Sequence, residues 1–121
     1  MNDYTKLIKS EEGKIVIIWF YNEKPKPLAI GKKMNDLNDL AYMNGYNWHA
    51  FLDFYLTKHH PDLLEDLEPD PEGGSYWASY PLSKQNEEKG EKFIAVITDL
   101  IENEEKIYEI LRKEGSNIDW D

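Results

Sequence analysis

The sequence predicts an α+β fold, a small antiparallel sheet of about four strands packed against three or four helices, with residues 1–121 forming a single domain. Three observations carry this. Strand-type runs bounded by turn residues occupy residues 4–21 and 75–80, and apolar residues at helical spacing occupy 35–60 and 84–114. With 121 residues, of which 40% are hydrophobic and 13% aromatic, the chain is long enough to bury roughly two-thirds of its unfolded surface in one core.

Tyr4 to Lys9 and Lys14 to Tyr21 flank Ser10-Glu11-Glu12-Gly13, a hairpin signal in which Gly13 is expected to take the unusual backbone angle. The run Ile15-Val16-Ile17-Ile18-Trp19-Phe20-Tyr21 is apolar without alternation. Such a strand is covered on both faces, or covered on one and used for binding on the other. Lys24-Pro25-Lys26-Pro27 argues against helix, so Leu28-Ala29-Ile30 reads as a short edge strand, with Lys26, Lys32 and Lys33 protecting it from aggregation.

From Asn35 the period changes to that of a helix over 35–43, with Leu37, Leu40 and Ala41 on one face and Gly45 ending it. A second helix over 47–60 takes Asn47 as its cap and presents Trp48, Phe51, Leu52, Tyr55, Leu56 and His59 as a stripe. Pro61 stops it and opens a brief helix to about Leu67. Residues 68–74 read as turn throughout. Ser75 to Tyr80 alternates as a strand ended by Pro81. Ser83 caps a long helix with Phe93, Ile97, Leu100 and Ile101 on its core face; the stripe lapses at Glu104 and Glu105, which predicts a break near Asn103 and a last helix ending at Gly115. No repeat or low-complexity linker interrupts the chain.

Cysteine is absent, which excludes disulfides and zinc-thiolate sites and suits a reducing compartment, the cytoplasm. The N-terminus carries no secretion signal and the longest apolar run is far too short to span a bilayer. The net charge is −10, and it is unevenly placed: residues 1–60 carry 7 acidic and 8 basic groups, residues 61–121 carry 17 and 6. Such a charge repels nucleic acid and anionic membranes and favours encounter with a basic protein.

Candidate chemistry is sparse. His49 and Asp53 share a helix face with His60 beyond them, but the spacing matches no zinc motif and reads as a solvated polar face. Glu65, Asp66, Glu68, Asp70 and Glu72 invite a calcium reading, yet Pro71 stands where the loop's sixth-position glycine is needed and Trp77 where its glutamate is. Phosphate loops and nucleophile elbows have no match. No catalytic residue, metal or cofactor is therefore expected. The five carboxylates with nearby Tyr76 and Trp77 have instead the composition of a protein-contact patch, and Trp77 and Trp120 are the tryptophans expected to be accessible.

Asn44-Gly45-Tyr46-Asn47-Trp48, the helix ending in Pro61-Asp62-Leu63-Leu64, and Asp70-Pro71-Glu72-Gly73-Gly74 before an aromatic strand resemble the immunity protein 51 family of bacterial polymorphic toxin systems. Glu91-Lys92-Phe93 and Ile101-Glu102-Asn103-Glu104-Glu105 look similar too, so the likeness spans roughly residues 15 to 114. It departs at Gly73, where alanine is expected; both residues suit a turn. The resemblance implies a small cytoplasmic, non-catalytic protein that binds and neutralises a cognate protein toxin by stoichiometric surface occlusion, protecting the producing cell. Many toxins of such systems are nucleases with basic clefts, so the resemblance further implies a basic, nuclease-type domain as partner, with the carboxylates of residues 61–121 in the place of substrate phosphates; the free protein is expected to be a monomer. The alternative reading is an acidic regulatory or DNA-mimic protein that binds a nucleic-acid enzyme.

Overall fold

The hairpin signal at the N-terminus is realised as β1 (Thr5–Ser10) and β2 (Ile15–Phe20), paired antiparallel with Thr5 opposite Phe20 and Ser10 opposite Ile15. The computed structural model describes residues 2–121. At the turn it is Lys14, with φ 57°, that takes the left-handed conformation, and not Gly13. Gly13 instead donates its N–H to the Ser10 hydroxyl at 3.0 Å.

The sheet is completed by β3 (Glu68–Pro69) and β4 (Tyr76–Pro81) in the order β1-β2-β4-β3, every pairing antiparallel. Val16, Ile18 and Phe20 of β2 and Tyr76, Ala78 and Tyr80 of β4 are buried, while Ile15, Ile17, Trp19, Trp77 and Ser79 are half-buried. The apolar run of β2 is thus covered by helices on one face.

The expected edge strand at Leu28–Ile30 is not a strand. Residues Pro25–Leu37 form helix α1, because both prolines fall in its first turn, where backbone N–H groups have no intrahelical acceptor to lose. The first helical bond runs from Leu28 N–H to the Lys24 carbonyl at 2.9 Å, just past the second proline. Pro27, Ile30, Gly31 and Met34 are buried at helical spacing. Lys26 and Lys33, expected to guard an edge, tie α1 to the C-terminal helices through Glu102 at 2.8 Å and Glu104 at 3.9 Å.

The helix expected over 35–43 is therefore displaced toward the N-terminus, and residues 38–44 are irregular. Helix α2 (Gly45–His59) begins two residues earlier than its stripe suggests, since Asn44 is the cap and accepts from Asn47 N–H at 3.0 Å. Gly45 opens this helix instead of closing the previous one. Asn47 is a buried bracket: its side chain donates to the Tyr42 carbonyl at 2.8 Å and accepts from Asp121 N–H at 2.7 Å.

Pro61–Leu64 form a 3-10 turn. Helix α3 (Lys84–Glu102) is capped by the Ser83 hydroxyl, which accepts from Asn86 N–H at 3.0 Å, and it breaks at Asn103 before helix α4 (Glu104–Glu114), as the lapse in the stripe predicts. Where α3 crosses the sheet, a Cβ on Gly90 would meet Leu7 at 2.9 Å and Val16 at 3.2 Å. Helix α3 thus rests against the buried face of β1 and β2. Trp120, expected to be exposed, is half-buried, and its indole N–H donates to the Gly115 carbonyl at 3.3 Å.

Candidate protein-binding face

With the helices on one side, the other face of the sheet is open. It carries Ile8, Ile15, Ile17, Trp19, Tyr21 and Trp77, all half-buried by one another. Trp19 and Trp77 stand directly opposite in the β2–β4 register, and their rings stack at 4.3 Å and 21°. Tyr21 also packs on Trp19, with ring centroids 3.9 Å apart, and the Lys24 ammonium lies 5.6 Å from the Tyr21 ring. Enclosed by its neighbours, the Trp19 indole N–H is buried and finds no hydrogen-bond partner among the described residues.

The outer edge beside this aromatic row is acidic. Glu68 stands opposite Ser79, and the ladder continues past the two residues of β3: Asp70 N–H donates to the Trp77 carbonyl at 2.7 Å and Glu72 N–H to the Ser75 carbonyl at 2.8 Å. Residues opposite one another in an antiparallel pair share a face. Glu68, Asp70 and Glu72 therefore form a row on the open face beside Ser79, Trp77 and Ser75, successive carboxylates standing roughly 6.5–7 Å apart along the chain. All three are exposed.

Glu65 and Asp66 lie outside that row. They precede β3 at a corner where Asp66 takes φ 63° and Lys89 donates to the Glu65 carbonyl at 2.7 Å. Tyr76, expected on the contact surface, is 1% exposed. Its side chain points from β4 into the core, where burial pushes its phenol well above the ordinary tyrosine range. Sequence reasoning placed it on the surface because adjacent strand residues were counted together, whereas their side chains alternate between faces. Trp77 does reach the open face, steadied by an indole N–H bond to the Ser75 hydroxyl at 2.8 Å.

Residues the sequence reading left out of the site are Trp19, Tyr21 and Ile17. The signal for them was present in the unbroken apolar run of β2, one of whose faces has no helix over it.

The two acidic regions differ in how their charge is used. On α3 and α4, Glu87, Asp99, Glu102, Glu105 and Glu109 each lie within 3.4 Å of a lysine or arginine nitrogen. Glu65, Asp66, Glu68, Asp70 and Glu72 have no ion-pair partner among the described residues.

His49 stacks on Tyr76 at 5.9 Å, and Tyr55 packs against His59 at 4.5 Å and His60 at 6.3 Å. Among the described residues, no group of three or more His, Cys, Asp or Glu side chains is placed to hold a metal ion, and no helix is long and apolar enough to cross a membrane.

By fold, then, this is a two-layer α+β protein with helices on one side of a four-stranded antiparallel sheet and an open, aromatic, acid-edged face on the other. It belongs to the immunity protein 51 family, whose model matches residues 6–116. No curated protein and no solved structure matches the chain.

Proposed function

We propose that the protein neutralises a cognate protein toxin by stoichiometric binding, without catalysis, in the cytoplasm of the producing cell. The contact surface is the open sheet face, with Trp77 and Trp19 as the apolar centre and Glu68, Asp70 and Glu72 as the charged margin. Glu65 and Asp66 extend that margin around the corner. The observation that carries this reading is the row of Glu68, Asp70 and Glu72, three exposed carboxylates on one strand face with no ion-pair partner among the described residues. Apolar centres with charged margins have the anatomy of a protein interface, in which the aromatics supply affinity and the charges steer encounter.

An evenly spaced line of negative charge on a rigid strand is also what a basic cleft built for a phosphate backbone would accept. A nuclease-type toxin bound by a monomer of this chain is the specific form of the proposal. The same row favours the second reading, an acidic regulatory or DNA-mimic protein directed at a nucleic-acid enzyme.

Co-expression with the toxin domain encoded beside this gene is the test. Survival together with co-purification in equal amounts is the expected result, and reversing Glu68, Asp70 and Glu72 to lysine should abolish both while the free protein still folds. Cell death despite good soluble expression would remove toxin neutralisation for that pair and move the regulatory reading forward.

A further inference from the structure

The sheet ends in two edges, β1 and β3, and they are built differently. Along β3 the bonds to β4 fall to Glu68, Asp70 and Glu72, so Pro69 and Pro71 hold the outward-facing positions. Proline has no N–H to offer there, which closes that edge to a further strand.

The β1 edge has no such block. Tyr21 N–H donates to the Tyr4 carbonyl at 2.7 Å, and alternation from that pair gives the ladder bonds with β2 to Lys6, Ile8 and Ser10. The backbone N–H and C=O groups of Leu7 and Lys9 therefore point away from the sheet. Outside the ladder, neither residue bonds to another backbone group among the described residues. Thr5 N–H, the next outward donor, is taken by the Asn2 side chain at 2.9 Å. No residue of β1 is buried. Such a row of donors and acceptors at strand spacing is complementary to one kind of occupant, an extended backbone.

The side chains along the edge narrow the choice. Lys6 and Ile8 stand opposite Trp19 and Ile17 on the open face. Lys9, on the other face, is neutralised by Glu87 at 3.4 Å and Glu11 at 3.7 Å. Lys6 is exposed and has no ion-pair partner among the described residues. A second copy of this chain fits poorly. Antiparallel two-fold pairing centred on Lys6, Leu7 or Ile8 sets Lys6 or Lys9 opposite or diagonal to its own counterpart, and each copy brings a net charge of −10.

We propose that β1 accepts an extended segment of the toxin as an added strand, bonded to the Leu7 and Lys9 backbone, with an apolar side chain beside Ile8 and a carboxylate beside Lys6. Main-chain bonds supply the affinity and the alternating side chains the selectivity. The inference rests on the toxin-binding reading above. It adds a contact at the edge opposite the acidic row, with the Trp19–Trp77 centre between the two.

Amide hydrogen exchange, read residue by residue by NMR on the protein alone and in complex with the toxin domain encoded beside it, is the test. The Leu7 and Lys9 amides should exchange rapidly in the free protein and at least about tenfold more slowly in the complex. Lys9→Pro removes an outward N–H and no ladder bond; it should weaken binding about tenfold relative to Lys9→Ala, which keeps that N–H. Lys6→Glu should weaken it as well. Should Lys9→Pro fail to fold, the exchange measurement decides alone. A complex in which both amides exchange as they do in the free protein would overturn the added strand, while shifted Trp19 and Trp77 indole signals in that complex would still uphold binding at the open face. Amides already protected in the free protein, together with a dimer mass in solution, would overturn it in favour of a second copy. A toxin domain that neither binds nor is neutralised would overturn both readings.

Discussion

Two glycines, Gly45 and Gly73, illustrate how much a single Cβ can matter. Gly45 has no room: an added methyl would sit 1.8 Å from the Glu72 carbonyl oxygen and 2.4 Å from that of Ser75. Its φ is not positive, so the requirement is space alone. Gly45→Ala should lower unfolding free energy by about 3 kcal/mol, as severe overpacking does. Gly73 has nothing within 4 Å, and Gly73→Ala should stay within about 0.5 kcal/mol. Urea titration of both variants decides the matter, and equal losses would show that the close approach at Gly45 is not what holds the 72–75 turn. Tyr80 offers a second residue-scale test. Its hydroxyl donates to the buried Leu63 carbonyl at 2.5 Å, so Tyr80→Phe strands that acceptor and should cost about 1–3 kcal/mol in the same assay.

At the scale of elements, the caps and breaks decide where helices lie. Ser83→Ala should destabilise the protein by about 1 kcal/mol and Ser83→Gly by only a few tenths, read from urea midpoints, because glycine leaves the exposed N–H groups open to water. The Ser83 cap and the Asn103 break were legible because both are local. Asn103 leaves the helical conformation, and its side chain folds back to donate to the Asp99 carbonyl at 2.9 Å. Helix α1 was not legible in the same way. Two prolines within three residues suggested extended chain, but prolines in a first helical turn remove no bond, and what holds the helix is burial of Ile30 and Met34 against the core. The two-residue strand β3 was read as turn for a related reason: Pro69 within it and Pro71 just beyond it dominate the local composition, while its identity comes from bonding to β4.

For the whole molecule, the buried tyrosines set the alkaline limit. Burial is the main cause that raises the phenols of Tyr4, Tyr76, Tyr80 and Tyr108 above the ordinary range; hydrogen bonds from Tyr4 to Glu102 and from Tyr108 to Glu104, each 2.7 Å, add to it. Each folded-state value lies above the unfolded value of about 10. The neutral phenols thus contribute their full stability below about pH 10, and lose it as pH climbs from there toward the folded-state values, since the unfolded chain sheds protons first. The urea midpoint should hold steady from pH 7 to 9 and fall by pH 11, and Tyr4→Phe should make that fall shallower. The unneutralised edge sets a second whole-molecule property. Affinity for a basic toxin should drop steeply between about 50 and 300 mM salt, where screening shortens from beyond 10 Å to well within it; a salt-insensitive complex would remove the phosphate-like role of the carboxylates and leave the Trp19–Trp77 centre to carry binding.

The sequence by itself determined the α+β class, the N-terminal hairpin, the capped long helix and its break, the family, and a surplus of negative charge between residues 62 and 72. These follow from periodicity, cap chemistry and composition, which act over a few residues. Tertiary structure alone decided that Glu68, Asp70 and Glu72 line one face with Trp77 while Tyr76 turns inward, and that Glu65 and Asp66 stand apart at a corner. A short, proline-flanked strand takes its register from the strand it pairs with, and register assigns each side chain to the core or to the open face.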